Sequence, residues 1–275
     1  MAEDKILFSG TPLERCILPI EGLPEIIDRV SAEDLVAFHR QYYVPANISI
    51  LAVGKIPTND IFQLIDKSIF SSTGGCRVKL PEPIAELPPL PENSLDFSIS
   101  EFLKKSAGVN ISRLKISAVL PGTISSAAMK ICVDMINNDA DSEICQEFAY
   151  SYGLDMEWNN YHALNRVAIE LADLPPDMLI TAKRSVTKAL RELPNDNRLF
   201  KHIQRCCLNQ LKILDYSIES LINETADKII ENQYLPTVAE TSKELKAVTM
   251  KDVREVFSHL SPNRLFITSQ KCEWH

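Results

Sequence analysis

One local pattern occurs twice in this chain, and it limits the available folds more than any other feature. Residues 30–54 read VSAEDLVAFHRQYYVPANISILAVG. Ser31 is a good N-cap, and Asp34 three residues on makes a capping box with aspartate in the usual glutamate place. Leu35, Phe38 and Tyr42 recur at i, i+3 and i+7, which marks one apolar helix face. Pro45 cannot continue that helix and pushes Val44 to extended geometry. The β-branched-rich run 48–53, closed by Gly54, predicts a strand covered on both faces. The pattern returns with Thr249 and Asp252 as the cap, Val256, Phe257 and Leu260 as the apolar face, Pro262-Asn263 as the break and Leu265-Phe266-Ile267 as the strand. The two caps stand 218 residues apart (249 − 31), about one domain length. The chain therefore reads as the closing part of one domain copy followed by most of a second.

Composition fits that reading. The chain has 275 residues, enough for one large or two modest domains, with 45 % hydrophobic and 24 % charged residues, an ordinary globular profile. A net charge of −8 argues against a nucleic-acid binder. No apolar run approaches the length of a membrane span. Seven cysteines, an odd number without framework spacing, suit a reducing compartment. The start, MAEDKILFSG, has neither a signal-peptide core nor an arginine-rich transit pattern, so the expected setting is cytoplasmic, or mitochondrial if a targeting segment lies upstream.

Along the chain, residues 1–23 are punctuated by Pro12, Pro19 and Gly22 and predict loop with one turn of helix. Pro24 opens a short helix at N1. After Pro57, Thr58 or Asn59 is placed to cap a helix carrying Ile61, Leu64, Ile65, Ile69 and Phe70. Residues 80–93, LPEPIAELPPLPEN, hold five prolines in fourteen positions and read as an extended linker, so the domain boundary is set at 80–94. Alternating runs predict strands over 95–102, 110–120, 156–161 and 166–171, with a hairpin or wide turn at Lys104-Lys105 and Gly108. Helices are expected after Ser125 or Ser126, over 142–150, from Pro175-Pro176 to Leu193, after an Asn195 cap and over 217–234, and residues 242–247 lead into the repeated closing unit. Strands and helices come in blocks, which predicts an α+β fold with a mostly antiparallel sheet and helices packed on one face.

The chemistry-bearing residues are sparse. Five histidines exist, His39, His162, His202, His259 and His275, and none belongs to H-E-x-x-H or H-x-x-E-H. His202 and Cys206 share helical i, i+4 spacing, but a structural zinc needs two more ligands, and Cys207 points about 100° away. The eight glycines are not grouped to cradle a phosphate, and no cysteine has a sequence-level reason for a lowered pKa. Lys183, Arg184, Lys188 and Arg191 form a basic helix face, which reads as a solvated surface or a seat for an acidic partner. No catalytic or metal-binding residue is assigned.

Leu35, Phe38, Tyr43, Pro45, Asn47, Val53 and Gly54 fall on a helix–proline–strand motif, and Ser142 to Phe148 followed by Gly153-Leu154 on a second motif. Together they resemble the insulinase/pitrilysin family of zinc metallopeptidases, the inverzincins, over about residues 20–270. The likeness is nearest to its long single-chain intracellular members. It implies a LuxS/pitrilysin-like metallopeptidase fold. Residues 1–79 would be the C-terminal part of a first insulinase-like domain, a partial preceding copy, and residues 95–275 a second domain. It also implies zinc held elsewhere, by an H-x-x-E-H motif with a downstream glutamate, none of which this chain contains. An arginine and a tyrosine that hold substrate in some members fall on Ala149 and Met156, neither of which can donate a side-chain hydrogen bond. The function implied is a section of a zinc metalloendopeptidase, inactive alone, walling a peptide-enclosing chamber. Its partners would be other domains or subunits of the same fold and peptides, with no cofactor in this chain, no nucleic acid and no membrane. The rivals are a non-catalytic scaffold or core-type subunit of the same fold, as in respiratory complexes, and an unrelated α+β binding module. The missing glycine-rich loop speaks against the glycine-loop subunit of mitochondrial processing enzymes.

Overall fold

A computed structural model of the chain describes residues 7–14, 22–71, 74–79, 82–87, 94–98, 112–137, 154–161, 163–213, 222, 225–226, 229, 236–261 and 264–271. The chain divides into two compact units, one of Met1–Ile17, Glu82–Lys212 and Pro236–His275, the other of Leu18–Pro81 and Ile213–Leu235. The expected elements at 99–111, 142–150, most of 217–234 and Pro262-Asn263 lie outside the described residues.

In the smaller unit, helix α1 (Pro24–Ile27) has Pro24 at its first position, as its missing N–H allows. Helix α2 (Ala32–Tyr42) starts from the expected capping box. The Ser31 hydroxyl accepts the Asp34 N–H at 3.1 Å, and the Asp34 carboxylate accepts the Ser31 N–H at 2.9 Å. Pro45–Asn47 then makes one 3₁₀ turn. The Asn47 amide pins this break, donating to the Tyr42 carbonyl at 3.1 Å and accepting the Val78 N–H at 2.6 Å. Gly75 sits beside it at φ +95°, where a Cβ would come within 2.5 Å of the Val44 side chain, so both conformation and space require glycine. Helix α3 (Thr58–Asp66) follows, but Pro57 occupies its N-cap position, and neither Thr58 nor Asn59 caps it.

The strand expected over 48–53 does not form. Ile48 is extended at φ −106°, ψ 126°, yet no described strand pairs with this run, and Ile48 and Ile50 are exposed. Extended backbone becomes sheet only when a neighbour takes its N–H and C=O groups, and β-branched residues cannot supply that partner themselves.

The larger unit is α+β. Its five strands are β1 (Ser94–Ser98), β2 (Ser112–Pro121), β3 (Leu154–Asn160), β4 (Leu164–Leu174) and β5 (Phe266–Lys271), in the order β1-β5-β2-β4-β3. All neighbours are antiparallel except β1 with β5. Cross-strand register puts Ile116 opposite both Ile169 and Ile267, and Met156 opposite Ile169, on one apolar face. The alternate face carries Lys115, Glu170 and Thr268 at its middle. Arg113 and Glu170 pair there at 3.0 Å. At one end this second face is covered after all: Leu7 and Phe8 bury against Val119, Leu164 and Phe266, with Leu13, Ile84 and Leu87 around them. The Ile84 N–H donates to the Ala163 carbonyl at 2.7 Å, so part of the proline-rich stretch is seated on the sheet.

Helices cover the apolar face. Helix α4 (Ser126–Asn137) is capped by Ser125, whose hydroxyl accepts the Ala128 N–H at 3.1 Å, and it buries Ala128, Met129, Ile131, Cys132, Met135 and Ile136. Each such full-sized side chain stabilises the unit by roughly 1.5–3 kcal/mol. Asn137 at its end bonds both the N–H and the C=O of Met156, at 2.8 and 3.2 Å. A 3₁₀ turn at Pro176–Met178 leads into α5 (Leu179–Glu192), whose buried side is Leu179, Ala182, Ser185, Val186 and Leu190. Helix α6 (Asn197–Ile213) is capped by Asp196 rather than by Asn195. Asn195 ends the preceding 3₁₀ turn and donates to the Arg191 carbonyl at 3.4 Å instead. Capping boxes open both α7 (Val238–Ala247), from Thr237 and Glu240, and α8 (Met250–His259), from Thr249 and Asp252. Gln204 of α6 donates to the Leu245 and Val248 carbonyls at 2.8 and 3.1 Å, satisfying acceptors that the end of α7 leaves unpaired. Across the sheet, the Trp158 indole donates to Asn165 at 2.9 Å, and Asn165 donates to the Pro121 carbonyl at 2.9 Å, linking three strands.

Candidate functional site

Four places could carry chemistry or binding: the thiols of α6, the position of Met156, the exposed face of α5 and that of the smaller unit. On α6, Cys206 Sγ lies 3.6 Å from His202 Nε2, so the i, i+4 spacing does bring the pair together. Arg205 places its guanidinium 3.4 Å from His202 Nδ1, a cation beside the ring. Cys207 turns inward and donates to Asp134 at 3.2 Å. Burial first, then the hydrogen bond to and charge of Asp134, push the Cys207 thiol up to about 12. Cys132 is pushed up as well, by burial and then by the charge of Asp252. Both remain thiols at neutral pH and are not nucleophiles. Among the described residues no three His, Cys, Asp or Glu side chains gather where they could hold a metal ion. The donor set among the described residues does not fit zinc, which needs at least three protein ligands.

Met156 is 2 % exposed and sits in the core under α4, so its side chain does not reach a substrate. Ala149 lies outside the described residues. Among the other histidines, His259 has its pKa lowered by burial and then by Arg264, whose guanidinium stands 2.7 Å from Nδ1. His162 and His275 lie outside the described residues. His39 stacks on Tyr43 with ring centroids 4.9 Å apart, an arrangement within one helix end.

The two exposed faces differ in kind. In the smaller unit, apolar side chains stand in solvent: Leu35, Phe38, Phe62 and Leu64 are 55–68 % exposed, and no apolar side chain within 22–79 is buried among the described residues. So many large apolar side chains left exposed in one small unit are a feature of contact surfaces. On α5, by contrast, the exposed side is cationic, with Lys183, Arg184, Lys188 and Arg191 all in solvent.

The profile of the family described as "Peptidase M16 inactive domain" matches residues 29–178, just over half of the chain. The chain belongs to the peptidase M16 family. Both motifs that suggested an insulinase/pitrilysin-type protein fall inside the matched span, and the reading as an unrelated binding module is set aside. The M16 fold is equally evident in solved structures. The peptidase M16 inactive domain from Pseudomonas fluorescens superposes with a TM-score of 0.75 at 14 % identity, covering 98 % of this chain and 64 % of that one. A protease from Helicobacter pylori gives 0.69 at 13 % identity, with 98 % and 70 % covered. A chain of complex III2 from Candida albicans, with Inz-5 bound, gives 0.68 at 13 % identity, with 97 % and 64 % covered. No curated protein sequence matches. At such identities these likenesses are of fold, and this M16 chain spans 64–70 % of the length of those three. No helix among the described residues is long and apolar enough to cross a membrane.

Sequence reasoning located the α6 pair and the basic face of α5 correctly. It missed the uncovered apolar side of the smaller unit, because helical periodicity tells which residues share a face and not whether anything covers it.

Proposed function

We propose that this chain is a non-catalytic section of an M16-type zinc metallopeptidase, forming one wall of a chamber that encloses peptide. Its smaller unit is a seat for polypeptide of the same fold that carries the zinc motif. The exposed apolar side chains of α2 and α3 carry this reading: Leu35, Phe38, Phe62 and Leu64, 55–68 % exposed, each gain roughly 1–2 kcal/mol on full burial. The family profile for an inactive domain supports the absence of chemistry in this section.

The test is to purify the chain with and without a same-fold polypeptide bearing H-x-x-E-H. The expected result is no cleavage of unfolded peptides by the chain alone. With the partner present, a stable complex should form, and amide exchange around Phe38 and Phe62 should slow. Chelator-sensitive cleavage by the isolated chain, with stoichiometric bound metal, would sink the proposal. The complex III2 likeness favours a second reading, a scaffold subunit of the same fold. That reading predicts the same complex but no peptidase activity in it.

A further inference from the structure

Charge on this chain is not evenly spread. Residues 179–213, which make α5 and α6, hold eight Lys and Arg against two carboxylates, a local charge of +6. The remainder of the chain therefore carries −14 (−8 − 6). The cations of α5 lie on the side away from its buried residues, and a hollow of about 770 Å3 runs along that side. Ile180, Lys183, Arg184, Thr187, Lys188 and Arg191 line it together with one carboxylate, Glu192 at its end, and Ile180 is 66 % exposed. Lys188 is already engaged, whereas among the described residues no carboxylate pairs with Lys183, Arg184 or Arg191.

We infer that the outer face of α5 binds an acidic polypeptide segment in extended conformation. Arg184 and Arg191 are two helical turns apart on one stripe, about 10 Å at 1.5 Å per residue. A peptide in the extended polyproline II form has three residues per turn and rises about 3.1 Å per residue, so carboxylates three residues apart share one side about 9 Å apart and meet the two guanidiniums in register. Lys183 adds a third cation beside the stripe, and Ile180 and Thr187 give small apolar and hydroxyl contacts to the intervening side chains. The acidic residues required are few, and the interaction is salt-sensitive because every partner is exposed. A nucleic acid is disfavoured because its continuous phosphate charge would meet a chain that is otherwise −14. An anionic membrane is disfavoured because Ile180 is the single large apolar side chain lining this hollow among the described residues. The inference stands apart from the proposed chamber role, since α5 belongs to the larger unit and needs no zinc-bearing partner.

The experiment is fluorescence anisotropy on the whole chain with a dye-labelled peptide bearing glutamate at every third position. The same peptide with glutamine, a single-stranded oligonucleotide and phosphatidylserine vesicles serve as competitors. The expected result is that the glutamate peptide binds about tenfold more tightly than the glutamine one and weakens as salt is raised. The double variant Arg184→Glu/Arg191→Glu should weaken it at least about tenfold. The milder Arg184→Gln/Arg191→Gln should lie between, and circular dichroism should show both folded. Equal binding of the two peptides, undiminished binding by the folded double variant, or tighter binding of the oligonucleotide or the vesicles would overturn the inference.

Discussion

Helices α2 and α8 are written in nearly the same local code and meet opposite fates. Each opens on a hydroxyl–aspartate capping box, Ser31 with Asp34 and Thr249 with Asp252, and each carries its apolar residues on one stripe. Helix α8 buries Val253, Val256 and Phe257, and β5 follows it into the sheet. Helix α2 buries nothing, and the run 48–53 that follows it pairs with no described strand. The comparison separates two layers of folding information. Capping and helical period are satisfied within a few residues of the chain, while a strand is satisfied only by backbone that lies elsewhere.

The sharpest way to break this comparison is to truncate one aromatic on the apolar side of each helix. Phe257→Ala, at 4 % exposure, should cost the larger unit roughly 3–5 kcal/mol in denaturant unfolding. Phe38→Ala, at 55 % exposure, should cost under about 1 kcal/mol in the chain alone. Comparable losses would mean that α2 is as well packed as α8. In the presence of the zinc-bearing partner the Phe38→Ala cost should rise toward the other value.

Thiol labelling sharpens the contrast next. Cys76, exposed in the smaller unit, should react with a maleimide at once. Cys207 and Cys132 should react at least about a hundredfold more slowly, because they wait for the larger unit to open. The raised Cys207 thiol also sets a sign: its contribution is present below its unfolded value near 9 and is lost as pH rises toward about 12. Alkaline conditions should therefore loosen the larger unit in that window, and Cys207→Ala should remove this part of the dependence.

The caps test where the two helices are alike. Ser31→Ala and Thr249→Ala should each cost about 1 kcal/mol of local helix stability, read from amide exchange in the first turn. The carboxyls of Asp34 and Asp252 are held below the usual carboxylate range, first by their side-chain bonds to Ser31 and Thr249. Lowered folded pKa values mean that the stabilisation is present above about pH 4 and is lost as pH falls through the folded values. Both first turns should fray together on acidification. Fraying of one alone would show that tertiary packing, rather than the cap, holds it.

These contrasts also mark what was legible in the sequence. The α+β class, the antiparallel sheet, the start of α4 and the capping boxes of α2 and α8 could be read from local pattern, because their causes lie within a turn or a pleat of the residues concerned. The caps of α3 and α6 were misplaced by a residue or so, since several polar side chains compete at each helix start and only geometry decides among them. The burial of Leu7 and Phe8 on the polar side of the sheet could not be foreseen, because two apolar residues among prolines carry no period. The family's motifs pointed to the right fold. Of the two substrate-holding positions they implied, Ala149 lies outside the described residues and Met156 is buried in the core.

The Trp158–Asn165–Pro121 chain of hydrogen bonds has a practical corollary. Trp158 belongs to the larger unit, so its ultraviolet emission is an optical gauge of that unit. The emission colour of Trp158 reports whether three strands remain laced together. A melt followed by tyrosine absorbance, which also samples Tyr42 and Tyr43, should diverge from the emission trace if the smaller unit loosens first.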